Sequence, residues 1–223
     1  MISGMTLRRS LGMMLALASA ATWARAPETA VVDKPDALAP IAKLAQQPPT
    51  QVAFAEARFS ALLSRPLVVS GQLSWEGGDR LQRHVDSPYV ETTRIVDGEV
   101  SMHRAGRGTR HFSLDRAPPL KALLDSLVAV LSGDRARLSK VFTPRLDEDG
   151  GGQGWTLTLK PKSPRLARSL AHIRLDGDDR GLRCMLITEA NGTLSVDLLG
   201  PLAARMPTQP TRANLTALCR HAE

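Results

Sequence analysis

The sequence predicts a mainly antiparallel β protein with inserted helices, of the α+β class. Apolar and polar residues alternate over many short segments, as in strands with one buried face. Turn residues such as Gly77-Gly78-Asp79 and Asn191-Gly192 separate these segments, and one long segment instead repeats leucine at helical spacing. The predicted strands span residues 69–75, 80–85, 89–96, 99–105, 110–114, 155–160, 171–175, 182–190 and 193–199.

The first 24 residues have the features of a Sec-type signal peptide. Arg8 and Arg9 precede an apolar run over residues 11–21, and small residues follow that run. The run is shorter than the roughly 20 apolar residues that a membrane-spanning helix needs. We therefore expect cleavage after Ala24, export to the periplasm, a flexible lead-in over residues 25–34 and a single domain over residues 35–223.

The segment from residue 35 to residue 63 is predicted to form two helices that lead into the sheet. Its apolar residues recur near helical spacing on both sides of a break at Pro48-Pro49. They are Leu38, Ile41 and Leu44 before the break, and Val52, Ala55, Phe59, Leu62 and Leu63 after it.

The clearest helix of the sequence begins at Pro118-Pro119 and ends at Ser132-Gly133. Proline suits the first turn of a helix and glycine its end. A shorter helix is expected over residues 134–142, because Asp134 can cap its first turn. The apolar stripe of the long helix consists of Leu120, Leu123, Leu124, Leu127, Val128 and Leu131.

The charge of the chain does not indicate a nucleic-acid partner. It contains 29 Lys and Arg against 22 Asp and Glu, a formal net charge of +7. Removal of residues 1–24 would take away two arginines and no acid, which leaves +5. Acidic residues are interleaved with the basic ones, as on a solvated surface. We expect a monomer that binds no nucleic acid.

Motifs for catalysis and for metal binding are absent from the sequence. It has no GxSxG or Ser-x-x-Lys motif, and its five histidines never occur as HxH or HExxH. Ser169 and His172 lie three residues apart, so a periplasmic hydrolase is the enzymatic alternative. The sequence therefore predicts a protein without catalytic residues, metal or cofactor.

Cys184 and Cys219 are the two cysteines of the chain. In an oxidising compartment they can form a disulfide, which would fasten the C-terminal tail to the sheet. The alternative is a pair of buried free thiols.

The long helix is expected to lie across the concave face of a curled sheet. In that position its leucines can form packed core or a movable cover over a cavity. Leu73, Trp75, Trp155 and Leu157 are the strand residues for which both interpretations stay open.

Several short motifs of the chain occur in an order that resembles a known family. They are Phe54-Ala55-Glu56-Ala57-Arg58-Phe59, Gly71-Gln72-Leu73 before Trp75, Ser87-Pro88-Tyr89-Val90-Glu91, Val96-Asp97-Gly98, and the run from Trp155 to Lys162. In this order, behind a signal peptide, they resemble the periplasmic outer-membrane lipoprotein carriers, the LolA-like family, and within it a divergent branch. The resemblance covers residues 52–199.

The resemblance implies an open, incomplete β-barrel covered by helices on its concave face, with a hydrophobic cavity for acyl chains. The implied cavity wall consists of Val69, Leu73, Trp75, Tyr89, Ile95, Phe112, Trp155, Leu157 and Leu159. The implied lid consists of Leu120, Leu123, Leu124, Leu127 and Val128. Where the family commonly has an arginine that locks the lid, Arg80 and Arg83 are the nearest basic residues.

The implied cargo is acylated, either a lipoprotein or a specialised glycolipid or pigment lipid of the envelope. The implied partners are an inner-membrane donor complex and an outer-membrane acceptor. A non-transporting sensor of the same fold, which detects lipoprotein or lipid, is the alternative function.

Overall fold

The computed structural model describes residues 36–148 and 154–220. The chain divides into two units after Pro35, and the described residues belong to the second unit. The expected signal peptide and the lead-in lie outside the described residues.

Eleven strands and five α-helices are found in the described residues. The strands are β1 (Thr50–Phe59), β2 (Leu67–Gly77), β3 (Arg80–Ser87), β4 (Glu91–Val96), β5 (Glu99–Arg104), β6 (Gly108–Ser113), β7 (Phe142–Glu148), β8 (Gly154–Pro161), β9 (Leu170–Asp178), β10 (Gly181–Glu189) and β11 (Leu194–Leu199). The helices are α1 (Ala39–Lys43), α2 (Pro118–Ser132), α3 (Arg135–Val141), α4 (Pro164–Ala167) and α5 (Arg212–Arg220), with short 3-10 turns at Leu114–Arg116 and Gly200–Arg205.

All eleven strands of the described residues form one antiparallel sheet, in the order β6-β5-β4-β3-β2-β1-β11-β10-β9-β8-β7. Two meanders, β1 to β6 and β7 to β11, are joined where β1 pairs with β11. Because β6 and β7 do not pair with each other, the sheet is open, which confirms the expected open antiparallel architecture with added helices.

Residues 50–59 form a strand, so the expected second helix before the sheet is wrong. On β1 the usual burial is reversed, because Ala55 and Ala57 are buried on one face whereas Glu56 and Arg58 line a cavity on the other. A segment of alternating alanine and charged residues lacks the apolar alternation by which a half-buried strand is recognised. Of the expected leading helices only α1 forms, around the buried Ile41.

Helix α2 begins and ends as the sequence predicted. It starts at Pro118, and the N–H of Gly133 donates to the carbonyls of Ala129 and Val130 in a left-handed cap with a φ of 70°. Helix α3 is also confirmed, with the Asp134 side chain accepting the N–H of Arg137. Among the described residues α2 is the longest helix, with 15 residues, and none of their helices is long and apolar enough to cross a membrane.

Different elements cover the two faces of the sheet, here called the inner and the outer face. On the inner face, Ala129 and Val130 of α2 pack into a core with β7, β8 and β9. On the outer face of β1, β10 and β11, Leu202 and Leu215 pack into a second core, so α5 and the 3-10 turn Gly200–Arg205 cover those strands.

Gly71 allows the close approach of β2 and β3. The register of the two strands shifts between Ser70 and Gly71, and a Cβ atom on Gly71 would overlap the carbonyl oxygen of His84. Glycine at a bulge lets two backbones meet where any side chain would force them apart.

A disulfide joins Cys184 of β10 to Cys219 of α5 on the outer face. Both residues are buried in the same core as Leu215. The bond therefore fastens the last helix to the sheet on the side away from α2.

Reduction of the disulfide should lower the free energy of unfolding by about 2–4 kcal/mol, because a cross-link across a loop of this size restricts the unfolded chain. The two cysteines are 35 residues apart in sequence. Urea unfolding with and without a reductant measures the change. The double variant Cys184→Ala with Cys219→Ala is the control and should not respond to reductant; an equal response of both proteins would contradict the prediction.

Candidate functional site

A cavity of about 570 Å³ lies between α2 and the inner face of the sheet. Its volume is within the range of about 300–1,000 Å³ that small-molecule sites occupy. Most of its lining is apolar. The sheet contributes Val52, Leu67, Val69, Leu73, Trp75, Leu81, Tyr89, Ile95, Val100, Met102, Phe112, Leu182, Met185, Ile187 and Leu199, and α2 contributes Leu120, Leu123, Leu124, Leu127 and Leu131.

The resemblance implied nine wall residues, and six of them line this cavity. All six are on β2, β4 or β6 or in the β3–β4 turn. They are Val69, Leu73, Trp75, Tyr89, Ile95 and Phe112. The other three, Trp155, Leu157 and Leu159, lie on β8 and do not line it. The cavity is formed instead by β1 to β6 together with β10 and β11.

The three β8 residues are part of the packed core. Leu157 and Leu159 are fully buried with residues of α1, α2 and α3. The indole N–H of Trp155 donates to the carbonyl of Asp178 at 3.1 Å, and its ring covers Gly177. On this half of the sheet, α1, α3 and α4 fill the space that the cavity occupies on the other half.

Four of the five expected lid residues, Leu120, Leu123, Leu124 and Leu127, line the cavity. The fifth, Val128, is buried in a core cluster with Leu81 and does not line it. One stripe of α2 thus faces the cavity while neighbouring positions anchor the helix to the sheet.

One end of the cavity is polar, which the sequence did not indicate. Its residues come from the inner faces of β1, β3, β10 and β11, and we call this set the charged end. It consists of Glu56, Arg58, Arg83, Glu189, Ser195 and Asp197. Five charged residues spread over four separate strands carry no shared sequence signal, so only the register of the sheet shows that they meet.

Two ion pairs order the charged end. Arg83 donates to Glu56 at 2.7 Å, and Arg58 donates to Glu189 at 2.6 Å. Arg58 also reaches the Ser195 hydroxyl at 3.3 Å. The Arg83 guanidinium lies 4.6 Å from the centre of the Phe54 ring, where a cation is attracted to the aromatic face.

Neither basic residue that was compared with the family's lid-locking arginine bonds to α2. Arg83 pairs with Glu56, and Arg80 donates to the carbonyl of Glu76 at 3.3 Å. The contact to α2 comes from Arg137 of α3, which donates to Asp125 of α2 at 2.7 Å and to Asp79 in the β2–β3 turn at 3.0 Å. Arg137 thus joins both helices to the sheet.

His172 contacts Thr188 of the neighbouring strand β10. The His172 Nε2 atom lies 3.3 Å from the Thr188 hydroxyl. Burial and the nearby cations Lys160 and Arg174 lower the pKa of His172, which favours the neutral ring. Within residues 36–148 and 154–220, no group of three or more His, Cys, Asp or Glu side chains could hold a metal ion.

The model of a protein family described as outer membrane lipoprotein carrier protein LolA-like matches residues 26–222. The chain belongs to this LolA-like family. No protein with a curated description matches the chain significantly.

Several solved structures are similar to this LolA-like chain. A LolA superfamily protein from Nitrosomonas europaea has 11% identity and a TM-score of 0.40, over 73% of this chain and 90% of that one. A putative outer membrane lipoprotein-sorting protein domain from Vibrio parahaemolyticus has 10% identity and a TM-score of 0.37, over 76% and 92%. The MucA/MucB complex of Pseudomonas aeruginosa gives 16% identity and a TM-score of 0.38, over 84% and 62%.

Asp197 is the most perturbed carboxyl group of the LolA-like cavity. Its residue is 6% exposed, and Glu56 lies directly opposite it in the β1–β11 register. Burial, and then the negative charge of Glu56, raise the pKa of Asp197 well above its ordinary value, while Arg83 opposes the rise. The folded protein therefore holds a proton on Asp197 at pH values where the unfolded chain has released it.

Asp197→Asn should become more stable relative to the wild type as the pH rises. A raised carboxyl pKa contributes stability that is fully present below the unfolded pKa and is lost as the pH rises through the folded pKa. Asparagine resembles the neutral acid and cannot ionise. The difference in unfolding free energy should therefore begin to grow above about pH 4, where the unfolded carboxyl ionises, by up to about 1.4 kcal/mol per pH unit until the folded protein also releases the proton.

Urea unfolding at several pH values measures this difference. Ser195→Ala, a neighbouring change that removes no ionisable group, should differ from the wild type by an amount independent of pH. A pH-independent difference for Asp197→Asn as well would show that Asp197 has the same pKa in both states.

Proposed function

We propose that this LolA-like protein is a periplasmic carrier. Its cargo is an acyl chain of a lipoprotein or of a specialised envelope lipid, held in the cavity and moved toward the outer membrane. The apolar cavity of about 570 Å³ between α2 and the sheet is the observation on which the proposal rests. Membership of the LolA-like family supports it.

Burial of the chain supplies the binding free energy. Each methylene group removed from water contributes about 0.8 kcal/mol, so about ten of them contribute about 8 kcal/mol before the costs of association. The net free energy of binding is this sum less the cost of association, so a longer acyl chain binds more tightly. No catalytic residue is needed, because the cargo is bound and released without chemical change.

Entry and release of the chain require α2 to move, since its leucines cover the cavity. In this proposal Arg137 is the latch of the lid, because it pairs with Asp125 on α2 and with Asp79 on the sheet. An inner-membrane donor complex loads the cavity and an outer-membrane acceptor empties it. The protein acts as a monomer, without a nucleic-acid partner, after export through the expected signal peptide.

Leu127→Asp should weaken binding of the neutral fluorescent probe N-phenyl-1-naphthylamine by about 10- to 100-fold. Leu127 lines the cavity and is only half-buried, so its replacement places a carboxylate among apolar groups without emptying the core. Loss of a buried leucine contact costs about 1.5–3 kcal/mol, and about 1.4 kcal/mol is tenfold in affinity. A fluorescence titration measures the dissociation constant.

Val96→Asp is the matched control for that variant. Val96 is an exposed apolar residue at the end of β4 and does not line the cavity, so the same substitution there should leave affinity unchanged. Circular dichroism establishes that both variants are folded. If folded Leu127→Asp binds the probe as tightly as the wild type does, the cavity is not the binding site. If the wild type binds the probe but transfers no acyl lipid between vesicles, the protein binds lipid without carrying it.

Arg137→Ala should speed dissociation of the probe by about three- to tenfold, because a partly exposed pair of ion contacts is worth about 1 kcal/mol. Stopped-flow mixing with excess lipid vesicles measures the rate. Arg135→Ala is the control on the same helix, since Arg135 pairs with Asp36 and not with α2. Equal rates for the two variants would exclude Arg137 as a latch.

A further inference from the structure

The charged end contains a carboxyl group that its neighbours leave without a partner. Arg83 is paired with Glu56, and Arg58 is paired with Glu189. Within the described residues, no group donates a hydrogen bond to the side-chain carboxyl of Asp197, and no cation lies within ion-pair distance of it. Its residue is nonetheless more than nine-tenths buried, and it lines the cavity.

We propose that the charged end is a head-group subsite in which Asp197 binds the ammonium group of an amine-bearing acyl lipid. The inference rests on the proposed function and specifies its class of cargo. A primary ammonium has three N–H donors and one positive charge. The Asp197 carboxyl has neither a hydrogen-bond donor nor a cation as a partner among the described residues of the cavity. Inside the cavity Asp197 can ionise at low cost only beside such a partner, because an isolated buried charge costs several kcal/mol.

The count of charges at this end favours a cation over an anion. Three carboxyl groups, Glu56, Glu189 and Asp197, face two guanidinium groups, and both guanidinium groups are already paired. A phosphate or carboxylate would have to displace Glu56 or Glu189 from its arginine and would then lie close to the freed acid. An ammonium leaves both ion pairs in place and meets the remaining acid.

The surroundings of Asp197 suit a lipid more than a free amine. Met185 lies opposite Asp197 on β10, Leu199 follows two residues along β11, and both line the cavity. An acyl chain attached to the ammonium therefore meets apolar surface immediately. The side chains of the two ion pairs are between 18% and 40% exposed, whereas Asp197 is buried.

Binding of the amine exchanges a proton for the ammonium. In the empty cavity the Asp197 carboxyl keeps its proton to a higher pH than an exposed carboxyl does, because burial and Glu56 raise its pKa. When the ammonium arrives, the carboxyl releases this proton to solvent and the resulting carboxylate pairs with the ammonium. One proton is released for each amine bound, so amine affinity should increase with pH through the titration of Asp197.

Competition between three ligands of equal chain length tests the inference. Dodecylamine, 1-dodecanol and dodecanoic acid each displace N-phenyl-1-naphthylamine near neutral pH, below their micellar concentrations. The amine should bind at least about tenfold more tightly than the alcohol, a difference of about 1.4 kcal/mol. In Asp197→Asn the ratio of the two affinities should fall to about one.

Asp179→Asn is the matched control, since Asp179 lies in the turn between β9 and β10 and does not line the cavity. It should retain the ratio of the wild type. Calorimetry in two buffers of different ionisation enthalpy should show proton release with dodecylamine and none with dodecanol.

The outcomes separate this inference from the proposed function. If the alcohol and the acid displace the probe but the amine is bound no more tightly, the head-group subsite is refuted and the lipid cavity stands. Retention of the amine preference in Asp197→Asn also refutes the subsite. If none of the three ligands binds, both proposals fail.

Discussion

The pairing of β1 with β11 is the constraint on which both the fold and the cavity depend. Every other pair in the sheet joins strands that follow each other in sequence, whereas Phe54 is paired with Leu199 across most of the chain. Closing so long a loop costs entropy, and the cost is met because both faces of these central strands are covered. The same register sets Glu56 opposite Asp197 and joins the walls on either side of the cavity.

Helix α2 supports two different environments with one short segment. Ala129 and Val130 are buried with β7 to β9, whereas Leu123 and Leu127 face the cavity. Small side chains allow close packing where α2 lies against the core, and leucine side chains line the cavity where it does not. On the other half of the sheet, Val128 of α2 is buried with Leu81, while the leucines beside it face the cavity.

Alternation in the sequence predicted most strands, because there one face is apolar and the other polar, whereas the cavity wall on β2, β4 and β6 was implied only by the resemblance to the family. It failed on β1, where Glu56 and Arg58 face inward and small alanines face the covering helix. It also failed on β7, an edge strand that contains Pro144. Leu157 and Leu159 do lie on the inner face of the sheet, as expected. Alternation does not indicate whether packed helices or a cavity cover that face.

The charged end is the place where the chain departs from the pattern that stability alone would favour. Replacing a buried ion pair by apolar residues of similar volume is commonly neutral or stabilising, so a cavity that only held hydrocarbon would gain from leucine at these positions. Unpaired charge inside a site instead disfavours ligands that cannot neutralise it. Asp197, which is the acid of the charged end that is not paired with an arginine, would therefore lower the affinity for a plain acyl chain and raise the selectivity among head groups. In the proposed carrier, the leucines of α2 and of the sheet supply the free energy of binding, and the β1–β11 register determines which head group is preferred.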